Sequence, residues 1–139
     1  MAIRQTCPLT QSVPVAVIYF PAGTYLITQS IQIYYFTQII GNPNCMPTIL
    51  GARNYQINAI GYSPGMLEGD LNYAVGSTNI FYRQVRNLII DGTQIPASVA
   101  VAGIHWNTAQ ATSLQNVLIK MNDAADTQQI GFLASDGAF

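Results

Sequence analysis

The acidic side chains are the first candidates for chemistry in this chain. General acid–base hydrolysis commonly uses two carboxyl groups, one to donate a proton and one to act as a nucleophile or to activate a water. The sequence has six acidic residues to supply such a pair. They are Glu68, Asp70, Asp91, Asp123, Asp126 and Asp136.

No spacing among these acids singles out a proton donor. Glu68 and Asp70 share a loop that contains Gly, Pro and Ser, so we expect a solvated pair of carboxylates there. Asp91 comes before a glycine, which is typical of a turn. Asp123 and Asp126 fall in a later loop, where solvated carboxylates are again expected and a groove is the alternative.

The cysteines and the one histidine do not form a metal-binding pattern. Cys7 and Cys45 lack the Cys-x-x-Cys spacing of zinc sites, and His105 stands alone, so we expect neither a metal nor another cofactor. If the protein is extracellular, the two cysteines could form a disulfide, and two free buried thiols are the alternative.

The composition excludes several classes of protein. Charged residues make up 8% of the 139 residues and the net charge is −1, which argues against nucleic acid as a partner. The hydrophobic content of 50% argues against disorder. No apolar run is long enough to cross a membrane, and the first 14 residues lack the apolar core of a signal peptide. A polar but nearly neutral surface suits sugars, and it is also common in secreted β-proteins.

A repeated segment indicates the fold. Residues 85–91, Val-Arg-Asn-Leu-Ile-Ile-Asp, return as residues 114–120, Leu-Gln-Asn-Val-Leu-Ile-Lys. Asn87 and Asn116 are 29 residues apart, a period typical of stacked structural units. We therefore predict a β-solenoid in which both Asn side chains occupy equivalent corners and hydrogen-bond to each other and to the turn backbone.

Short apolar segments bounded by Gly, Pro and Asn supply the predicted strands. We expect a single all-β domain, a parallel β-helix segment of about four to six coils with roughly 22 to 30 residues each. Residues 61–76 are predicted to form a loop. The strands are predicted at residues 16–20, 24–28, 31–33, 37–40, 48–51, 56–60, 80–82, 86–90, 103–106, 114–120 and 130–133.

Two motifs resemble a known family. Residues 17–25, Val-Ile-Tyr-Phe-Pro-Ala-Gly-Thr-Tyr, resemble the opening coil of the pectate-lyase-like right-handed β-helix proteins. Residues 81–91, and then residues 103–116 with the string Gly-Ile-His-Trp-Asn-Thr-Ala-Gln-Ala-Thr-Ser-Leu-Gln-Asn, resemble fungal exo-β-1,3-glucanases of glycoside hydrolase family 55. The resemblance extends from about Cys7 to Phe139.

The resemblance implies a right-handed, single-stranded parallel β-helix and an extracellular or cell-wall location. Members of that family have two consecutive β-helix domains and invert the sugar configuration. This chain, residues 1–139, is expected to correspond to an inner part of the first domain, truncated at both ends. The resemblance places the general acid in the second domain. The expected partner is a β-glucan polysaccharide or oligosaccharide.

The resemblance also suggests site residues. Gln110, Gln128 and Gln129 lie in the best-matching segments, and they are candidates to position the hydrolytic water, with corner or surface amides as the alternative. The candidates for substrate binding are Trp106, His105, Asn107 and Asp126.

Each substrate-binding candidate has a structural alternative. Trp106 could stack on a glucose ring or pack half-buried against the next coil. His105 could be structural or a hydrogen-bond donor, and Asn107 stands where the family often has Gln. The cluster Tyr34-Tyr35-Phe36 favours core packing, with a sugar platform as the alternative.

Three functions remain open at this point. The first is the sugar-binding and water-positioning part of a β-1,3-glucan hydrolase. The second is a non-catalytic β-glucan-binding or interaction protein. The third is another polysaccharide enzyme on the same fold, which ranks last because the acids are scattered and only Arg83, Arg86 and Lys120 are basic residues on or beside predicted strands. Self-association through open solenoid ends is also predicted.

Overall fold

In the part of the chain that the structure describes, ten strands form four successive coils. The computed structural model describes residues 16–34, 36–57, 65–69, 81–107 and 111–134, and these ranges contain no helix long and apolar enough to cross a membrane. The first coil holds β1–β3, the second β4–β6, the third β7–β8 and the fourth β9–β10. The strands are β1 (Ala16–Phe20), β2 (Thr24–Ile27), β3 (Ile31–Gln32), β4 (Thr37–Gly41), β5 (Thr48–Gly51), β6 (Gly65–Glu68), β7 (Gln84–Asp91), β8 (Ala102–Trp106), β9 (Ser113–Lys120) and β10 (Ile130–Ala134).

All pairs of neighbouring strands are parallel, and each pair joins successive coils. A six-stranded sheet contains β1, β4, β7, β9, β5 and β2, and a four-stranded sheet runs β10-β8-β6-β3. A chain whose strands pair only with equivalent strands one coil away is a parallel β-helix. The predicted fold is therefore confirmed.

The long strands β7 and β9 each turn a corner at an asparagine. The first half of β7 pairs with β4 and its second half pairs with β5, and Asn87 lies between the two halves. Asn87 and Asn116 have φ of 56° and 50°, a left-handed conformation that Asn tolerates better than most residues. The Asn116 Nδ2 donates to the Asn87 Oδ1 at 2.9 Å, and the Asn87 Nδ2 donates to the Gly41 carbonyl at 3.4 Å. The predicted corner amides are confirmed.

The core lies inside the coils: it consists of alternate residues in β4 and β5, whereas every residue of β6 and β8 is buried. Ile39 of β4 is in register with Val85 of β7, and both are buried. Burying an aliphatic side chain of this size stabilises the fold by about 1.5–3 kcal/mol. The equivalent residue of β9, Leu114, is only half-buried, since it lines an open apolar depression of about 290 Å³ together with Val117 and Phe132.

Three predicted segments differ from the structure. The predicted loop at residues 61–76 contains strand β6, because pairing with β3 and β8 imposes an extended backbone on Gly65–Glu68. In the predicted strand 56–60, residues 56 and 57 are not in a strand, and residues 58–60 lie outside the described residues. In the predicted strand 80–82, Ile80 lies outside them, and Tyr82 has a φ of 57°, which bends the chain before β7.

Candidate functional site

A buried contact between His105 and the carboxyl group of Glu68 links two coils of the four-stranded sheet. Glu68 of β6 is in register with His105 of β8, and the His105 Nδ1 lies 2.8 Å from the Glu68 Oε1. The backbone N–H of Gly65 donates to the Glu68 Oε2 at 2.8 Å. The exposed fractions are 7% for Glu68 and 2% for His105. The expectation of a solvated Glu68 carboxylate was wrong, because β6 is covered on both faces and each of its four residues is buried, as is each residue of its neighbour β8.

The backbone around this pair is bonded across three coils. The Glu68 carbonyl accepts from the Ile33 N–H at 2.9 Å and from the Gln32 Nε2 at 3.1 Å. The His105 carbonyl accepts from the Gly69 N–H at 2.8 Å. A Cβ on Gly65 would collide with the backbone nitrogen of His105, so the coils approach closely here. The pair therefore braces neighbouring coils, and burial keeps its carboxylate away from a polymer in solvent.

Arg83 is a buried charged residue, and little in the sequence indicates its burial. Its side chain is fully buried, its Nε donates to the Tyr34 carbonyl at 3.2 Å, and its Nη1 donates to the Gly69 carbonyl. Arg83 lies two residues before Val85, so the alternation of the chain directs it inward. The position of Arg83 two residues before the buried Val85 was the one sequence signal for its burial. A charged residue is rarely buried, however, so the residue type argues against that prediction.

Tyr55 is buried and interacts electrostatically with Glu68. Its hydroxyl is 3.1 Å from the Ser30 Oγ. Burial raises the pKa of Tyr55, the hydrogen bond with Ser30 acts in the opposite direction, and the negative charge of Glu68 adds to the increase.

The predicted substrate-binding residues at the end of β8 are buried. Trp106 is 6% exposed and belongs to the hydrophobic core, a deeper position than the half-buried packing considered from the sequence. His105 pairs with Glu68, and Asn107 is also buried. The burial of Trp106, His105 and Asn107 is typical of residues that stabilise the fold. A direct role of these three residues in binding sugar stays a prediction.

The candidate glutamines differ in their surroundings. The Gln129 Nε2 donates to the carbonyls of Gly92 and Ile95 at 3.2 and 3.1 Å, and its Oε1 accepts from the Asn122 N–H at 2.9 Å. Its amide thus bonds to three backbone groups and joins the turn after β7 to the turn after β9. Gln128 is exposed, and Gln110 lies outside the described residues. Water positioning by these glutamines stays a prediction.

The remaining described acids lie in turns. Asp91 accepts from the backbone N–H and the hydroxyl of Thr93 at 3.0 and 2.6 Å, as expected for a turn aspartate, and its Oδ2 is 3.8 Å from the Lys120 Nζ. Asp123 and Asp126 are exposed. Asp70 and Asp136 lie outside the described residues.

Of the two cysteines, the structure describes Cys45. Cys45 is exposed, so the alternative of two buried thiols was wrong, and Cys7 lies outside the described residues, so the alternative of a disulfide is not tested. In the part of the chain that the structure describes, no three His, Cys, Asp or Glu residues are grouped as metal ligands.

A second corner of the coils carries stacked aromatic rings. Phe36, Tyr82 and Ala111 have φ of 53°, 57° and 57°, and they precede the strands that pair in successive coils. The rings of Phe36 and Tyr82 stack with centroids 5.3 Å apart and planes 18° apart. A left-handed conformation costs a residue with a Cβ about 1–2 kcal/mol. Tyr35, of the predicted aromatic cluster, lies outside the described residues.

Comparison with known proteins identifies the family. Residues 2–138 match the family described as rhamnogalacturonase A/epimerase, pectate lyase-like. The chain belongs to this family. The pectate-lyase-like match covers all ten strands, and it agrees with the parallel β-helix that they form.

The relatives of this pectate-lyase-like chain include fungal glucanases. It is 42% identical over 125 residues to the glucan 1,3-beta-glucosidase of Cochliobolus carbonum, covering 88% of this chain and 16% of that protein. It is 39% identical over 137 residues to the probable glucan endo-1,3-beta-glucosidase of Arthroderma benhamiae, covering 95% of this chain and 15% of that protein. The predicted resemblance to fungal β-1,3-glucanases is confirmed.

A third relative has a different kind of name. The chain is 39% identical over 123 residues to the non-secreted LysM effector LysM15 of Penicillium expansum, covering 88% of this chain and 9% of that protein. The chain therefore spans only 9% to 16% of the length of these three relatives.

Proposed function

We propose that this chain provides the sugar-binding and water-positioning part of a β-1,3-glucan hydrolase. The observation that carries the proposal is the similarity over most of the chain to two proteins named as glucan 1,3-β-glucosidases, one of them an endo-enzyme by name. The nearly neutral, amide-rich surface supports it, because sugar hydroxyls are bound by uncharged donors and acceptors. The choice between exo and endo cleavage belongs to the proposal, and we retain exo cleavage from the sequence resemblance.

The proposal assigns the general acid to a different domain. Glu68 is buried against His105, and Asp91 is held by Thr93 in a turn. A general acid must reach the glycosidic oxygen, so neither side chain is placed for that task. This distribution supports a division of the site in which this chain binds sugar and orients water.

Among the glutamines, Gln128 is the best candidate to contact the water. It is exposed, whereas the amide of its neighbour Gln129 is bonded to three backbone groups. Asp126 is exposed two residues before Gln128 and is proposed to contact the same ligand. Gln110 is retained as a candidate on the resemblance alone.

The test measures both binding and hydrolysis of laminarin, a soluble β-1,3-glucan, by the purified chain. We expect retarded migration in laminarin-containing native gels and no release of glucose over a long incubation. The Gln128→Ala variant should bind more weakly, while Gln29→Ala, another exposed glutamine, serves as the matched control. A folded chain that migrates equally with laminarin and without it contradicts the proposal. Parallel gels with polygalacturonic acid test the pectin-active alternative.

A non-catalytic glucan-binding protein is the second candidate. The buried state of Glu68 favours it, and so does the similarity to a relative named as an effector rather than a glucosidase. In a longer protein that contains this segment, binding without any glucose release would support this candidate. Glucose release by that longer protein would support the hydrolase.

Location and assembly belong to the proposal as well. We propose an extracellular or cell-wall location, which secretion of the tagged natural protein would test. We also propose self-association through the open end, where core positions Leu114, Val117 and Ile119 are half-buried. Sedimentation velocity at increasing concentration should show oligomers, and a concentration-independent monomer would contradict this part.

A further inference from the structure

We propose that the corner formed by Phe36 and Tyr82, together with the outward polar residues beside it, is the surface that binds a β-glucan chain. This inference rests on the proposed function and identifies its contact surface. Phe36 belongs to the aromatic cluster for which the sequence left a sugar platform as the alternative, whereas Tyr82 was not a site candidate from the sequence. Stacked rings present hydrophobic faces that match the C–H faces of pyranose rings, so the chemistry of the surface fits this polymer.

The aromatic stack is open on one side. Phe36, Tyr82 and Ala111 occupy equivalent positions in successive coils, because Gln38 pairs with Gln84 and Gln84 pairs with Ser113 two residues further along each strand. Phe36 covers one face of the Tyr82 ring. Among the described residues, the equivalent position of the next coil carries only the methyl group of Ala111, and Tyr82 remains 53% exposed. A sugar ring can therefore occupy the place that a third aromatic ring would take.

A line of uncharged polar side chains runs parallel to the stack. Gln38, Gln84 and Ser113 are in register on the outward positions of β4, β7 and β9. Two residues along a strand correspond to about 6–7 Å, which is within reach of the hydroxyls at the edge of a stacked pyranose.

The backbone does not explain why aromatic residues occupy this corner. The other corner has the same left-handed conformation and uses Asn87 and Asn116, which tolerate it. Phe and Tyr are unfavourable in the left-handed conformation, and backbone strain of this kind is concentrated at functional sites such as binding sites. About half of the Tyr82 residue is exposed to solvent, so packing within the protein covers only part of this ring.

Tyr82 and Trp106 differ in whether their rings are accessible to a sugar. Trp106, the aromatic residue suggested by the sequence, is 6% exposed within the core. A ring in that position can stack on a polymer only if β8 is rearranged. Tyr82 needs no such rearrangement, so the structure assigns the stacking contact to it.

The test uses affinity electrophoresis in native gels that contain laminarin. Tyr82→Leu removes the ring but keeps a side chain with a similar backbone preference, and Tyr82→Phe restores the ring. Tyr19 of β1 is 54% exposed and carries no part of the proposed surface, so Tyr19→Leu is the matched control. We expect about three- to tenfold weaker binding for Tyr82→Leu, and binding close to that of the unmodified chain for the other two variants.

Folding is monitored on the same samples by thermal melting. If Tyr82→Leu does not fold, Gln84→Ala serves as the second variant, and it should also weaken binding at an unchanged melting temperature. The inference is overturned if the unmodified chain binds laminarin and Tyr82→Leu or, where needed, Gln84→Ala binds equally well. Equal losses in Tyr19→Leu and Tyr82→Leu overturn it too. A folded chain without any affinity for laminarin instead removes the proposed function, and this inference with it.

Discussion

In-register polar side chains are buried in one sheet of the solenoid and partly exposed in the other. In the four-stranded sheet, Glu68 and His105 pair with each other and are buried. In the six-stranded sheet, Gln38 and Gln84 lie on outward positions and are partly exposed. The same parallel register aligns both sets. The difference shows that register brings polar groups together, while burial decides whether they brace the coils or face solvent.

The two left-handed corners make a similar comparison within one sheet. Asn87 and Asn116 use their amides to bond along the stack, and the conformation costs them little. Phe36 and Tyr82 adopt the same conformation and contact each other through their rings. One corner is therefore explained by the stability of the coil, and the other requires a further reason for its side chains.

The strongest test of the comparison replaces the buried carboxylate. Glu68→Ala leaves His105 and the N–H of Gly65 without this partner, so we expect a loss of about 3 kcal/mol in the free energy of unfolding. Urea denaturation measures this loss. The control Asp126→Ala removes an exposed carboxylate and should change stability by less than about 0.5 kcal/mol. Equal effects of the two substitutions would break the distinction between the buried and exposed groups.

Adjacent glutamines give a second test. Gln129→Ala removes an amide that bonds to three backbone groups, and we expect a loss of about 2 kcal/mol. Gln128→Ala, one residue earlier and exposed, should leave stability within about 0.5 kcal/mol. The two melting curves should separate clearly. If Gln128→Ala is the more destabilising variant, the structural assignment of Gln129 is wrong.

The asparagine corner can be divided into its two contributions. Asn87→Ala loses the amide bonds and also places at a φ of 56° a residue that tolerates this conformation less well than Asn, so it should cost about 1–2 kcal/mol. Asn87→Gly loses the same bonds but suits this conformation, and it should cost less. Chemical denaturation of both variants measures the difference. A glycine variant that is as unstable as the alanine variant would show that the amide ladder carries the whole effect.

The smallest effect is expected from pH. The pKa of Tyr55 is higher in the folded protein than in the unfolded chain, chiefly because the side chain is buried. Above about pH 10 the unfolded chain loses this proton while the folded protein keeps it, so stability falls as the pH rises. Below the ordinary tyrosine pKa the contribution is fully present. Tyr55→Phe should reduce the loss of stability between about pH 8 and about pH 11 in urea titrations. An identical pH dependence in both proteins would contradict the assigned cause.

The sequence predicted the fold through its repeat. The segment around Asn87 returns around Asn116, and parallel stacking of two such segments leads directly to a solenoid and to paired corner amides. Strand β6 was missed, since Gly65–Glu68 is short, flanked by glycine, and extended only because strands of two other coils pair with it.

The candidate site was harder to predict than the fold. Trp106 and His105 lie in the segment with the longest resemblance, but local sequence does not report which side of β8 is covered, and both are buried. Tyr82 was assigned to a strand, because an aromatic residue is a favourable strand former and nothing local signals its left-handed φ.

By itself, the sequence determined the family, the parallel β-helix, the asparagine corners and the shortage of charge, since these follow from repeats and composition that survive in one dimension. Only the tertiary structure decided which polar groups are buried and bonded within the protein and which face outward. Glu68 and His105 are far apart in the chain, and stacking of the second coil on the third brings them together. The same stacking places Tyr82 on Phe36, because residues one coil apart become neighbours at the strand spacing of about 4.8 Å.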